Sequence, residues 1–204
     1  MIKPLSHLLY ITTLLLCSCS THTPDATIEL LKSHAQEGDL IFRRGTGLVG
    51  HAVTLADSDG MYSHVGIVAI VNDEYYVVHA VPHEPDFEGD FDRVKCESID
   101  DFIGRYSNAN YGLYRLETDS IQRGIAVSHA LRLSEKNTPF DHDYDSTDTT
   151  KLYCTELIEY AYSFTDITIS EGRRSKITIP GMAGEYIMPS DLTQCKALKP
   201  IIII

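Results

Sequence analysis

Three residues of this chain have the types and placement that covalent acyl chemistry needs: Cys154, His64 and His79. In that chemistry a thiolate attacks a carbonyl, an imidazole takes and returns the proton, and a third polar group fixes the imidazole tautomer. Cys154 begins an apolar stripe that continues through Leu157, Ile158, Ala161 and Tyr162. That spacing predicts a helix with the cysteine on its first turn. Free N–H groups and the positive dipole end stabilise thiolate there, so a lowered thiol pKa is expected. The Cys154 N–H can also contribute to an oxyanion hole. The competing interpretation is a buried structural cysteine, since free cysteine is among the most buried residue types.

The two histidines sit on neighbouring β-branched runs, His64 to Val71 and Tyr75 to Ala80, separated by Asn72-Asp73. The separator predicts a hairpin: with a two-residue loop Val71 faces Glu74 and, counting outward, Gly66 faces His79, a four-residue loop keeps that parity, and a three-residue loop without a bulge puts the two histidines on opposite faces. With an even loop, alternation puts His64, Gly66 and Val68 on the face of Val77 and His79, with the two imidazoles as diagonal neighbours. Gly66 between them leaves room for a close approach to the sheet.

Other elements must hold these residues. Asp25 caps a short helix through about Ala35, with Ile28 and Leu31 as its apolar contacts. A strand follows at Leu40 to Arg43, then a glycine-rich turn from Gly45 to Gly50 and a short helix to Ala56. The acidic stretch from Pro82 to Asp101 is expected to be an irregular surface loop, either selecting cationic ligands or keeping a lid soluble. Tyr111 to Leu116 is a further strand, and Ser120 is expected to cap a helix over Ile121 to Leu133. Residues 141–150 form a polar loop, and 167–187 give no clear pattern. Ile201 to Ile204 end the chain as a docked strand or an apolar patch.

With 204 residues, one domain with its own core is expected. The formal charge of −12 disfavours nucleic acid and anionic lipid as partners. The first 18 residues have a thin positive start at Lys3 and a short apolar run ending in Leu16-Cys17-Ser18-Cys19. This reads as an export signal with Cys19 as the lipidated first mature residue, followed by a tether and short helix over 19–36 and one domain over 37–204. Export as a membrane-anchored lipoprotein of a bacterial envelope follows. Cys96, Cys154 and Cys195 remain in the mature domain, so at least one thiol is free whether or not Cys96 pairs with Cys195.

The strings Gly38-Asp39-Leu40-Ile41-Phe42, Tyr62-Ser63-His64-Val65-Gly66-Ile67-Val68, Val77-Val78-His79-Ala80 and Tyr153-Cys154-Thr155-Glu156-Leu157-Ile158 occur in that order. Together they resemble the circularly permuted papain-like amidases related to NlpC, in particular the YiiX-like branch, over roughly Gly38 to Tyr162. The resemblance implies an α+β fold in which an antiparallel sheet packs on the nucleophile helix, with that helix against the His64 face. It implies Cys154 as nucleophile, His64 as base and His79 as the orienting residue, a position often held by Glu in related sequences. Tyr62, Tyr153 and Asp39, which lie within these strings, are the candidate substrate-binding residues. The implied reaction is thiol-dependent hydrolysis of an amide in envelope peptides, with no cofactor. One alternative is acyl hydrolysis or transfer on lipids, as in the lecithin–retinol acyltransferase group. Another is a non-catalytic binding lipoprotein. An apolar groove beside Cys154 favours lipids, and charged groups there favour peptides.

Three other patterns compete. Gly45-Thr46-Gly47-Leu48-Val49-Gly50 matches a dinucleotide fingerprint, but no further βαβ unit follows it. Asp141, Asp143 and Asp145 begin like a calcium loop, but Ser146 and Leu152 break the pattern. His64, His79 and Cys154 can also be read as three zinc ligands, at a spacing that fits no short zinc motif. His51, His83, His129 and His142 read as surface or structural residues.

Overall fold

Asn72 and Asp73 both adopt left-handed backbone, with φ of 53° and 65°. Two successive positive φ values make the turn whose twist matches paired strands. The hairpin it closes joins β2 (His64–Val71) to β3 (Glu74–Val81), with Val71 opposite Glu74 and Ile67 opposite Val78. The computed structural model describes residues 24–45, 47–57, 60–106, 109–179 and 183–204. The expected export signal and the expected lipidation site at Cys19 lie outside the described residues.

The hairpin is the middle of a six-stranded antiparallel sheet of order β4-β3-β2-β1-β5-β8. Here β1 is Leu40–Arg43, β4 Arg93–Ser98, β5 Tyr111–Leu116 and β8 Leu198–Ile203. The terminal isoleucines thus belong to a docked edge strand, paired with β5. Strand alternation divides the core into two clusters. Leu40, Phe42, Val65, Ile67 and Val78 pack with Ala126, Ala130, Leu157 and Ile158. These come from α4 (Ser120–Glu135) and α5 (Cys154–Tyr162). On the other face Ile41, Val68, Val77 and Leu113 pack with Ile28 and Leu31 of α1 (Pro24–His34) and with Phe102 of α3 (Ile99–Gly104). Among the described residues, no helix is long and apolar enough to cross a membrane.

The stretch 82–101, expected to be a loop, contains β4 and the start of α3. Strand β4 carries Arg93, Lys95 and Glu97 on one side, and Lys95 and Glu97 are buried. This inverts the usual apolar-inside pattern, because the buried side is polar and internally paired. The cap of α4 is Asp119, whose carboxylate accepts the Gln122 N–H, one residue before the expected Ser120. Within residues 167–187, β6 (Ser175–Ile177) and β7 (Gly184–Tyr186) form a separate two-stranded sheet. Helices α2 (Leu48–Ala56) and α6 (Pro189–Thr193) contribute to two walls of one cleft.

Candidate active site

His64 Nε2 lies 2.8 Å from His79 Nδ1. His79 Nε2 in turn approaches Glu97 Oε1 at 2.9 Å. All three side chains lie on the α3 face of the sheet. The registers place His64 opposite Arg43 on β1, His79 opposite Lys95 on β4, and Glu97 opposite Val77. Alternation therefore lines up Arg43, His64, His79, Lys95 and Glu97 across four adjacent strands. Gly66 makes this possible. A Cβ there would meet Val77 Cγ1 at 2.5 Å, the Val78 carbonyl at 3.1 Å and His79 Cβ at 3.2 Å.

The proton positions follow from the acceptor at the end of the row. Burial favours the neutral carboxyl of Glu97, but His79, Arg105 and Lys95 outweigh it and hold that carboxyl far below the usual carboxylate range. Ionised Glu97 can only accept, so its 2.9 Å approach favours a proton on His79 Nε2, poorly aligned with Oε1, with Nδ1 as acceptor to His64. His64 then donates through Nε2, which leaves its Nδ1 lone pair free to act as base. Burial, reinforced by the positive charge of Arg43 and Lys95 and by that of His79 whenever it is protonated, pushes the His64 pKa well below 6.5. Burial also lowers His79, against the opposing pull of Glu97. Both imidazoles are neutral at rest.

Cys154 opens α5 and is partly exposed. The α5 N-terminus is fixed from several sides. Glu156 accepts the Tyr153 N–H, Tyr153 Oη accepts the Ile187 N–H, and Thr155 Oγ1 donates to the Ile187 carbonyl. Asp57, at the end of α2, accepts the Ser190 N–H and ties the facing walls together. Between them lies a cleft of about 340 Å³ lined by both Cys154 and His64. The rest of its lining is mainly apolar, with Ala52, Val53, Tyr144, Tyr153, Ile187 and Met188.

Two expectations about Cys154 are corrected. Helix α5 packs on the face of Val65 and Ile67, opposite the histidine face, because Leu157 and Ile158 belong to that cluster. Cys154 and His64 line the same cleft, at the end of β2 where His64 is the first residue. The thiol pKa is also not lowered. Burial pushes it up to about 11, and the N–H groups of Val65, Thr155 and Cys154 itself oppose this without overcoming it. The thiol and the imidazole are both neutral at rest.

The structure sorts the other sequence candidates. Tyr153 lines the cleft. Tyr62 does not: it is buried against Phe42 and Tyr114. Asp39 does not either, since it is fully buried and accepts from Arg115 and the Gln36 N–H. His142, read as a surface residue, stands at the cleft and is 3.1 Å from Asp92. Cys96 and Cys195 are free thiols and form no disulfide. Glu97 is the site residue that sequence reasoning missed. The acidic stretch is also not a solvated charge run. Glu84 pairs with buried Arg43, while Asp86 pairs with Lys95, Arg93 and Arg105.

His79, Glu84 and Glu97 place donor atoms within 4.8 Å of one another. A divalent cation does not fit this group. Arg43 and Arg105 already lie against Glu84, and Lys95 and Arg105 against Glu97, so a metal would add its charge to three buried or half-buried cations. A zinc site of His64, His79 and Cys154 fails because His79 uses one ring nitrogen for His64 and the other for Glu97.

A histidine hairpin that precedes the cysteine helix, joined at the open end of an antiparallel sheet, is the permuted papain-like arrangement. Residues 34–201 match the family described as permuted papain-like amidase enzyme, YaeF/YiiX, C92 family, and the chain belongs to it. The fold is similar to the crystal structure of yiiX from Escherichia coli O157:H7, described as a metalloprotein. That match has a TM-score of 0.66 at 19 % identity and covers 83 % of this chain and 97 % of the other. A comparison with curated proteins finds no match.

Proposed function

We propose that this protein is a cysteine amidase or peptidase that cleaves its substrate through an acyl-enzyme on Cys154. The observation that carries this reading is the position of His64, between the cleft shared with Cys154 and the relay to His79 and Glu97. In the first step the Cys154 proton passes to His64 Nδ1 as sulfur bonds to the carbonyl carbon. The C–N bond then breaks, and His64 returns the proton to the leaving amine. Water reverses the sequence to release the acid. The N–H groups near Cys154 Sγ, from Val65, Thr155 and Cys154, are the available donors for an oxyanion. Envelope peptides are the proposed substrates, reached from a lipid anchor on Cys19. A second reading, hydrolysis or transfer of lipid acyl groups, is favoured by one observation, the apolar lining beside Cys154.

Acylation by an activated ester tests the reading. Incubation with p-nitrophenyl octanoate should add one octanoyl group to Cys154, detected by intact mass and peptide mapping. His64→Ala should slow the addition at least about 100-fold at neutral pH. Equal rates in wild type and His64→Ala, or acylation elsewhere than Cys154, would overturn it. Loss of membrane fractionation in Cys19→Ala checks the anchor.

A further inference from the structure

Most acidic side chains that lead into β4 are matched by a cation. Glu84 pairs with Arg43, Asp86 with Lys95, and Asp90 with Arg93. Asp92 differs. Among the described residues its carboxylate meets no lysine or arginine, and its ion-pair partners are two imidazoles. His142 Nε2 lies 3.1 Å from Asp92 Oδ2, and His83 Nδ1 lies 3.9 Å from the same oxygen. Asp92 Oδ1 accepts the His83 N–H at 2.7 Å, which leaves Oδ2 to both rings.

The backbone behind these side chains is fixed. The Asp92 carbonyl accepts the Phe140 N–H at 2.9 Å, and Arg93 bridges to Pro139. The His142 ring stands edge-on to Phe140, with centroids 5.0 Å apart. Asp141, between them in sequence, accepts the N–H groups of Asp143 and Asp145 and so shapes the loop that carries His142. Two segments distant in sequence are thus pinned with two imidazoles around one carboxylate oxygen. Their place is the rim of the site. His142 lines the catalytic cleft, and His83 lines a second cavity that shares Ser63, His64 and Pro82 with it.

Two imidazoles and one carboxylate are the ligand set of three-ligand zinc sites. Ligand atoms around a tetrahedral zinc ion lie about 3.3 Å apart, and the two N···O separations, 3.1 and 3.9 Å, bracket that value. The rings, with centroids 6.3 Å apart, must turn toward each other to complete the set. They are free to do so, because the His83 and His142 side chains are 74 % and 57 % exposed. The charge favours an ion here for the reason that disfavours one at His79, Glu84 and Glu97: no arginine or lysine offsets the Asp92 carboxylate among the described residues.

We infer that His83, Asp92 and His142 bind one divalent transition-metal ion of the zinc class, at the rim between the catalytic cleft and the second cavity. Three protein ligands leave the ion at least one position for water or for a group of an entering molecule. The inference does not depend on the amidase reading.

Calorimetric titration with zinc at neutral pH tests it. The protein is first treated with iodoacetamide, so that Cys154 and the exposed Cys96 cannot hold the ion. One zinc ion per chain should bind in the micromolar range. His83→Ala and His142→Ala should each weaken binding at least about tenfold, since even outer-shell partners of metal ligands are worth about 10- to 100-fold. Asp92→Asn should do the same, although its amide oxygen can still accept the His83 N–H. His51→Ala, which removes an exposed histidine outside the cluster, should bind as the wild type does. Melting temperatures without zinc check that the variants are folded. No binding at micromolar zinc, binding that persists in His83→Ala or His142→Ala, or binding that His51→Ala also removes would overturn the site. Acylation of Cys154 by p-nitrophenyl octanoate in untreated protein reports the amidase reading separately, so the two can fail apart.

Discussion

Because a carboxylate can only accept, Glu97 dictates the tautomers of two imidazoles and thereby the base form of His64. It never reaches the cleft, so its effect must appear in turnover more than in binding. Glu97→Gln keeps an oxygen for His79 but loses the charge that stabilises an imidazolium two groups away. We expect kcat/KM to fall about 10- to 100-fold with KM little changed, measured in steady-state kinetics. An unchanged kcat would remove Glu97 from the relay. The same charges fix the pH response. His64 must be neutral to act, and burial with Arg43, His79 and Lys95 around it keeps it so well below pH 6.5. The acid limb of a kcat/KM profile should therefore lie below that value. A limb at or above 6.5 would mean that solvent or the relay charge outweighs burial.

At the scale of elements, the hairpin β2–β3 is the device that brings two imidazoles together, and Gly66 is its most constrained position. Gly66→Ala forces a Cβ to within 2.5 Å of Val77 Cγ1 and 3.1 Å of a β3 carbonyl, so the strands must part. We expect a loss of about 1–3 kcal/mol in denaturant unfolding, together with lower activity as His64 and His79 separate. A variant as stable and active as the wild type would show that β3 can shift freely. This hairpin was legible in the sequence because Asn72-Asp73 names its turn and alternation does the rest. The cysteine helix was legible from its apolar stripe, but the sheet face it packs on was not, since helical spacing gives a direction and no partner. Strand β4 was illegible because Arg93, Lys95 and Glu97 turn inward and ordinary polarity rules send them outward. Glu97 was hidden with it, as its partner His79 lies across a pairing that begins only after an irregular turn.

For the whole molecule, the buried titrating groups pull stability in opposite directions with pH. His64 and His79 are held neutral in the fold, while the unfolded chain protonates both below about pH 6.5. Their contribution is present above that value and is lost as pH falls through it, each at up to about 1.4 kcal/mol per pH unit. Glu156 works the other way. Burial first, then Asp141 and Asp145, against Arg174 and the Tyr153 N–H, raise its pKa to about 7 from 4.5. The fold then holds a proton that the unfolded chain has released, so its contribution is full below pH 4.5 and is lost as pH rises through about 7. The melting temperature should therefore peak near pH 6.5. Glu156→Gln isolates the second limb, because the amide oxygen can still accept the Tyr153 N–H while the ionisation disappears. The variant should match the wild type near pH 4.5 and exceed it at pH 8.5 by about 3 kcal/mol. The acidic surface charge, common to both proteins, cancels in that difference. Equal melting temperatures at pH 8.5 would show that Glu156 ionises in the fold without cost, and that the α5 N-terminus beside Cys154 carries a full negative charge at neutral pH.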